Sequence, residues 1–316
     1  MSFALPARLV RAATVLALTA VSAGCGSTSG AKQGAASTTA ASAEAATTVM
    51  AGMNHGSMAP QTTVDPTVST LDAMTGMDHS GGMDMDPVAG DGTADSAAGY
   101  TLHPTTSPTK TGTQTFAFTV NGPDGAPIKD AVVEQTKKLH LIVVRSDLTG
   151  YQHLHPDLGP DGTWTVSVTF ASGGRWRAIT DLTPIAGTRV VLGTDISIQG
   201  TAVERPIPPA ELTTSIDGYG VALDGELSTT EGPLRFAITK AGEPATDVTE
   251  YLGAGGHLVA LNSATLAYTH LHPNGGPAPT LSFDADAPAV GQYRLFLQFA
   301  TGDTVHTAEF TFNVAK

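Results

Sequence analysis

Alternation of apolar and polar residues marks most of the chain beyond residue 98. In TWTVSVTF (163–170), Trp164, Val166, Val168 and Phe170 fall on one side, and Thr163, Thr165, Ser167 and Thr169 on the other. That two-residue period belongs to a strand with one face buried. AEFTFNV, near the C-terminus, repeats it with Phe310, Phe312 and Val314 on the apolar side. Turn-forming clusters such as NGPDGAP (121–127) and GPDG (159–162) separate runs of five to eight residues, and no window of 12 carries a helical period. The pattern predicts an all-β fold built from immunoglobulin-like β-sandwiches of six to eight short strands each.

The pattern is also duplicated. A shift of 117 positions lays HLIVVRSDLTGYQHLHPDLG (140–159) on HLVALNSATLAYTHLHPNGG (257–276) without a gap, with nine of 20 positions identical. The same shift carries Gly174-Arg175-Trp176-Arg177 onto Gly291-Gln292-Tyr293-Arg294, and Gly99-Tyr100 has a counterpart in Gly218-Tyr219. Two copies of one domain follow, at 99–201 and 218–316, joined by a proline-rich linker at 202–217. The aromatic residue of each G-x-[WY]-R is expected in the core, with Arg177 and Arg294 at an edge or in a salt bridge.

The first 98 residues read differently. Arg8 and Arg11 precede an apolar run that ends at Gly24-Cys25, the pattern of a lipoprotein signal at 1–24 with Cys25 as the lipidated residue. The expected location is therefore extracytoplasmic, at the outer face of the cell membrane through a lipid anchor. Cys25 is the only cysteine, so neither disulfides nor thiolate metal sites are available to the body. Residues 25–98 are expected to be a disordered stalk, because their Ala, Ser, Thr and Gly offer little to bury. A net charge of −13 without a basic patch excludes nucleic acid as a partner and favours cations.

Candidate chemistry lies in two places. In the first repeat, LHLIVVRS and TGYQHLHP read as a hairpin turning at Asp147-Leu148, so that facing residues have numbers summing to 295. His140 then faces His155, Ile142 faces His153, and all three imidazoles leave one face of the sheet. Facing β-carbons lie about 4.5–5.5 Å apart, close enough for imidazoles that share one ion at about 2.0 Å each. The second repeat gathers His257, His270 and His272 in the same way, which predicts one ion per sandwich. Three imidazoles suit copper(II), zinc or nickel. The competing explanation is that these rings pack a shared corner of each sandwich. Asp181 and Gln298, at equivalent positions, and His306, where the first repeat has Arg189, are weaker ligand candidates; His103 reads as a solvated strand residue.

The second place is the segment 50–86. Every methionine except the initiator falls there: Met50, Met53, Met58, Met74, Met77, Met83 and Met85, interleaved with His55 and His79. Their neighbours are Gly, Asp, Asn and Ser, so core packing does not account for them, whereas thioethers are soft ligands for copper(I). MNHGSM and MDHSGGM resemble the Met/His-rich motifs of bacterial copper-resistance proteins, including periplasmic copper oxidases and carriers. The duplicated HLIVV…HLHP with GRWR resembles actinobacterial secreted heavy-metal-binding lipoproteins, loosely YtkA-like and copper-carrier-like. The resemblance implies copper handling outside the cytoplasmic membrane, with a copper oxidase or transporter as the expected partner. The expected function is copper buffering, resistance or delivery, with copper(I) on the arm and copper(II), or zinc, on the histidine sites. The alternative is a non-catalytic cell-surface adhesion or interaction module with structural histidines. No Ser/His/Asp or paired-carboxylate arrangement stands out, and an enzyme is not expected.

Overall fold

The structure, a computed structural model, describes residues 88–271, 273–274 and 278–315. The expected leader, Cys25 and the Met/His segment lie outside them. The described residues form antiparallel strands, with no helix among them. The first repeat comprises β1 (Ser96–Ala97), β2 (Tyr100–Pro104), β3 (Gly112–Asn121), β4 (His140–Arg145), β5 (Gln152–Leu154), β6 (Asp157–Leu158), β7 (Thr163–Phe170), β8 (Gly174–Leu182) and β9 (Val190–Ile198). The second comprises β10 (Thr213–Ile216), β11 (Tyr219–Asp224), β12 (Gly232–Lys240), β13 (Glu243–Pro244), β14 (His257–Asn262), β15 (Tyr268–Leu271), β16 (Thr280–Ala285), β17 (Gly291–Thr301) and β18 (Thr304–Val314).

Each repeat is a two-sheet, immunoglobulin-like sandwich. In the first, the sheet β1-β2-β3-β7-β6 packs on β5-β4-β8-β9; in the second, β10-β11-β12, extended by β16 and β13, packs on β15-β14-β17-β18. The cores follow the predicted alternation. Trp164, Val168 and Phe170 meet Phe116, Phe118, Leu141, Val143 and Trp176 in the first core, and Phe310 and Val314 join Phe236, Phe283, Leu258 and Leu297 in the second. Trp176 and Tyr293 are fully buried, while Arg177 pairs with Asp195 at 2.8 Å and Arg294 pairs with Glu309. The duplicated Gly-Tyr marks a turn. Ala98-Gly99 (φ 48° and 85°) closes β1 on β2, and Asp217-Gly218 (φ 51° and 85°) closes β10 on β11. A two-residue hairpin loop with both φ positive matches the strand twist, and glycine carries the second position without steric cost.

Both sandwiches fall within one compact unit. Their contact explains why β4 and β14 are buried along their whole length. Leu141 and Val143 point into the first core, whereas Ile142 and Val144 leave the opposite face and join Ile179, Val259, Leu261, Tyr268 and Phe296 in a third apolar cluster between the repeats. Tyr151 stacks on Phe296 with centroids 4.0 Å apart and planes 5° from parallel. Each large apolar side chain buried there gains about 1.5–3 kcal/mol over exposure. That gain holds the sandwiches face against face.

Two expected boundaries move. Residues 88–98, expected in the stalk, belong to the folded body: Ala89 bridges Val190, and the Gly92 carbonyl accepts from Arg177 Nε at 2.9 Å and from its Nη2 at 2.7 Å. A β-carbon at Gly193 would lie 2.0 Å from that carbonyl, so only glycine lets the segment lie on β9. The linker expected at 202–217 ends at Leu212, because Thr213 already pairs with Ala222. It is also tied down: Arg205 N donates to Asp147 Oδ2 at 2.9 Å, and Ile207 packs against the cluster between the repeats.

Candidate metal centre

The β4–β5 hairpin has the register predicted from its loop. Leu141 faces Leu154, Ile142 faces His153 and Val143 faces Gln152. Leu148, with φ 61°, makes the turn, and Asp147 Oδ1 accepts from Thr149 N and Oγ1. His140, His153 and His155 therefore leave one face, with nitrogens all within 4.8 Å of one another. The second hairpin keeps the same geometry, with Val259 facing His270. His272 lies outside the described residues, as do Met50, Met53, His55, Met58, Met74, Met77, His79, Met83 and Met85.

The two sets of histidines, expected as one triad per sandwich, are not separate in space. The face that carries the histidines is the face that meets the other repeat, so both sets converge. His257 lies 4.3 Å from His153 and 5.3 Å from His140 between ring centroids, and His270 lies 4.4 Å from His257 and 5.5 Å from His140. His140, His153, His257 and His270 are buried, and His155 is partly exposed at the rim. Burial drives these imidazoles toward the neutral form. It holds His140 below its usual range and His153 and His257 well below it, with neighbouring imidazoles adding to the effect at the last two, and it lowers His155 to about 3.

Each repeat orients a histidine of the other. Asp181 Oδ2, from β8 of the first repeat, lies 3.0 Å from His270 Nδ1, and Gln298 Oε1, from β17 of the second, lies 2.8 Å from His153 Nδ1. These are the equivalent positions flagged in the sequence as weak ligands. In the structure they hydrogen-bond the rings and so set their orientation. Asp181 is buried, which alone would raise its pKa. Two hydrogen bonds from Arg189 (2.9 and 2.7 Å) and the bond from His270 outweigh that, and hold the carboxyl well below the usual range. Tyr268 OH also donates to it, at 2.9 Å.

Proton bookkeeping then defines the centre. His140 Nε2 lies 3.2 Å from the Glu134 carbonyl, and His153 Nδ1 faces Gln298 Oε1, whose amide is held the other way round by Nε2 donating to Thr307 Oγ1 at 3.2 Å. Both oxygens accept, which favours the proton of each neutral ring on its outward nitrogen. The inward nitrogens, His140 Nδ1 and His153 Nε2, lie 2.9 Å apart, where either one ring donates to the other and gives up its outward bond, or both lone pairs take a cation. Two nitrogens at about 2.0–2.1 Å from a tetrahedral ion stand roughly 3.3 Å apart, so an ion needs only a small opening. His155 Nε2, buried and without a hydrogen-bond partner among the described residues, faces the same group.

Comparison with known proteins adds little to this chemistry. Residues 214–316, the second sandwich, match the family described as Domain of unknown function (DUF8832). No curated protein matches the chain. Among solved structures, it is similar to the BSP domain of a biofilm associated protein, at 12% identity over 68% of this chain and 30% of that one, with a TM-score of 0.22. It is also similar to a tetra-tandem repeat in the extending region of a large adhesion protein (11%, 68% and 49%, TM-score 0.24) and to two fibronectin type III domains of chicken tenascin (9%, 67% and 97%, TM-score 0.21). The chain spans less than half the length of the first two. At such scores no inference about function follows.

The remaining candidates stand apart. His306 bonds Thr301 Oγ1 and Asp217 Oδ2, both at 2.8 Å, and packs on Tyr219 and Phe299 rather than on the cluster. His103 is exposed, as read from the sequence, with Thr101 Oγ1 at 2.8 Å from its Nε2. Glu134, Arg189 and Tyr268 carried no local signal for their roles. Beside the cluster, a cavity of about 170 Å³ is lined by Val88, Asp91, Arg189, Tyr268, His270 and Asp286, with Tyr268 N donating to the Asp91 carbonyl at 2.8 Å.

Proposed function

We propose that the chain is an extracytoplasmic metal-binding protein that holds copper(II) or zinc among the histidines between its two sandwiches, to buffer the ion or pass it on. The contact between His140 and His153 carries this reading. Their outward nitrogens lie against oxygen acceptors, and their inward nitrogens converge 2.9 Å apart in a buried site together with His155. Neutral imidazoles without a thiolate suit these ions. The Met/His segment 50–86 belongs to the same reading as a copper(I)-capturing arm, and the leader pattern with Cys25 as a lipid anchor at the outer face of the cell membrane.

One observation favours a second reading, in which the tandem sandwiches form a surface interaction module and the histidines are structural. The contacts His153–Gln298 and His270–Asp181 already link the repeats without an ion. Calorimetric titration of tag-free chain with zinc and copper(II) separates the two. Submicromolar binding that disappears when His140 and His153 are both replaced by Ala supports the metal centre. A chain with unchanged circular dichroism that binds neither ion would leave the structural reading standing.

A further inference from the structure

We infer that the centre is shared between the repeats, with His257 of the second sandwich completing the coordination begun by His140, His153 and His155, so that one bound ion clamps the two sandwiches together. This inference rests on the metal-binding reading and adds which side chains from which repeat hold the ion.

The argument starts from His257 itself. It opens β14, is 1% exposed, and has neither ring nitrogen hydrogen-bonded among the described residues. A buried imidazole with two such nitrogens calls for a partner. Its place in the fold is equivalent to that of His140. His140 faces Asp181 on β8, and His257 faces Gln298 on β17. But His140 has the Glu134 carbonyl and His153 as partners, while His257 is turned toward the rings of His153, His140 and His270.

The proposed donor set is the three imidazoles of one hairpin, which offer nitrogens within 4.8 Å of one another, joined by His257 closing on them from the facing sheet. Four nitrogens match the coordination number that zinc prefers and the nitrogen-rich surroundings that copper(II) takes. Because His257 and the hairpin belong to different sandwiches, releasing the ion removes a cross-link, and binding it adds one.

The test uses the intact chain loaded with one equivalent of copper(II), and separately with zinc. Nitrogen superhyperfine structure in the copper(II) electron paramagnetic resonance spectrum should count four imidazoles, and three in His257→Gln. Zinc should slow amide exchange in both β4 and β14 of the natural chain, and in β4 alone in the variant. Zinc affinity should fall at least about tenfold in His257→Gln. Unchanged affinity and four nitrogens in the variant would remove His257 from the site and leave the metal reading intact. So would two tight zinc ions per chain, one for each hairpin. If the natural chain binds neither ion, the metal-binding reading fails and this inference with it. Should His257→Gln not fold, the nitrogen count and β14 exchange of the natural chain still decide. Three nitrogens with β14 unprotected would overturn the shared site.

Discussion

The two repeats share a scaffold and differ in where they carry charge. At equivalent positions, the first has Asp181 and Arg189, a buried ion pair that reaches across to His270 and Tyr268, whereas the second has Gln298 and His306. Gln298 performs the orienting task of Asp181 with a neutral amide and needs only Thr307 behind it. His306, which stands near no buried carboxylate equivalent to Asp181, serves its own sandwich through Thr301 and the exposed Asp217. A second buried carboxylate would have required a second buried cation beside the histidines. The duplication thus keeps the geometry of ring orientation on both sides and places formal charge on one.

The largest effect should come from acid, which tests what the repeats have in common. In the metal-free chain, His140, His153, His155 and His257 all have folded pKa values below the unfolded value of about 6.5. Below about pH 6.5 the unfolded state binds more protons than the folded state. Stability is therefore full above that pH and falls as pH drops toward the folded values, about 3 for His155. Urea unfolding of metal-free protein between pH 7.5 and pH 5 checks this, and a flat profile would mean that the imidazoles are not buried and neutral.

Next in size is the difference in charge between the repeats. Asp181→Asn leaves Arg189 buried without its counter-charge and should cost about 3–5 kcal/mol in chemical denaturation. Gln298→Ala removes a neutral partner and should cost about 1 kcal/mol. Equal costs would erase the asymmetry. Both variants should also weaken zinc or copper(II) by about 10–100-fold in calorimetry, because each frees a ring to turn. The smallest effect on the centre is expected at His306. Replacing it by Ala should cost only stability of its own sandwich, through lost packing on Tyr219 and Phe299, and should leave metal affinity unchanged. A drop in affinity would mean that His306 acts on the centre after all.

Much of this was legible in the sequence because it is local. Strand alternation placed Trp164, Val168, Phe170 and Phe310 inward, and the Asp147-Leu148 loop set the register that pairs Ile142 with His153. What covers a strand's second face is not a local property. The runs LHLIVV (139–144) and HLVAL (257–261) do not alternate, the mark of strands buried on both sides, and Ile142 and Val144 share a face with His140. That signal points to a covered histidine face but does not name the cover. The convergence of five imidazoles from two distant hairpins, and the use of Asp181 by His270, emerge only when the repeats pack. The place of residues 88–98 in the body escaped for a related reason, since VAGDG (88–92) has too few apolar residues to announce a strand and is held by backbone bonds to β9 and by Arg177.

That short segment bears on kinetics. Val88 and Asp91 line the cavity beside His270, so the polypeptide emerging from the Met/His segment is pinned at the edge of the histidine cluster. An extended chain reaches at most about 3.3–3.6 Å per residue, which keeps His79, Met83 and Met85 within about 30 Å of Val88. If that segment holds an ion, so short a tether would present it at an effective concentration on the millimolar scale. An ion passed on without change of oxidation state would then move in a first-order step, with a rate independent of protein concentration.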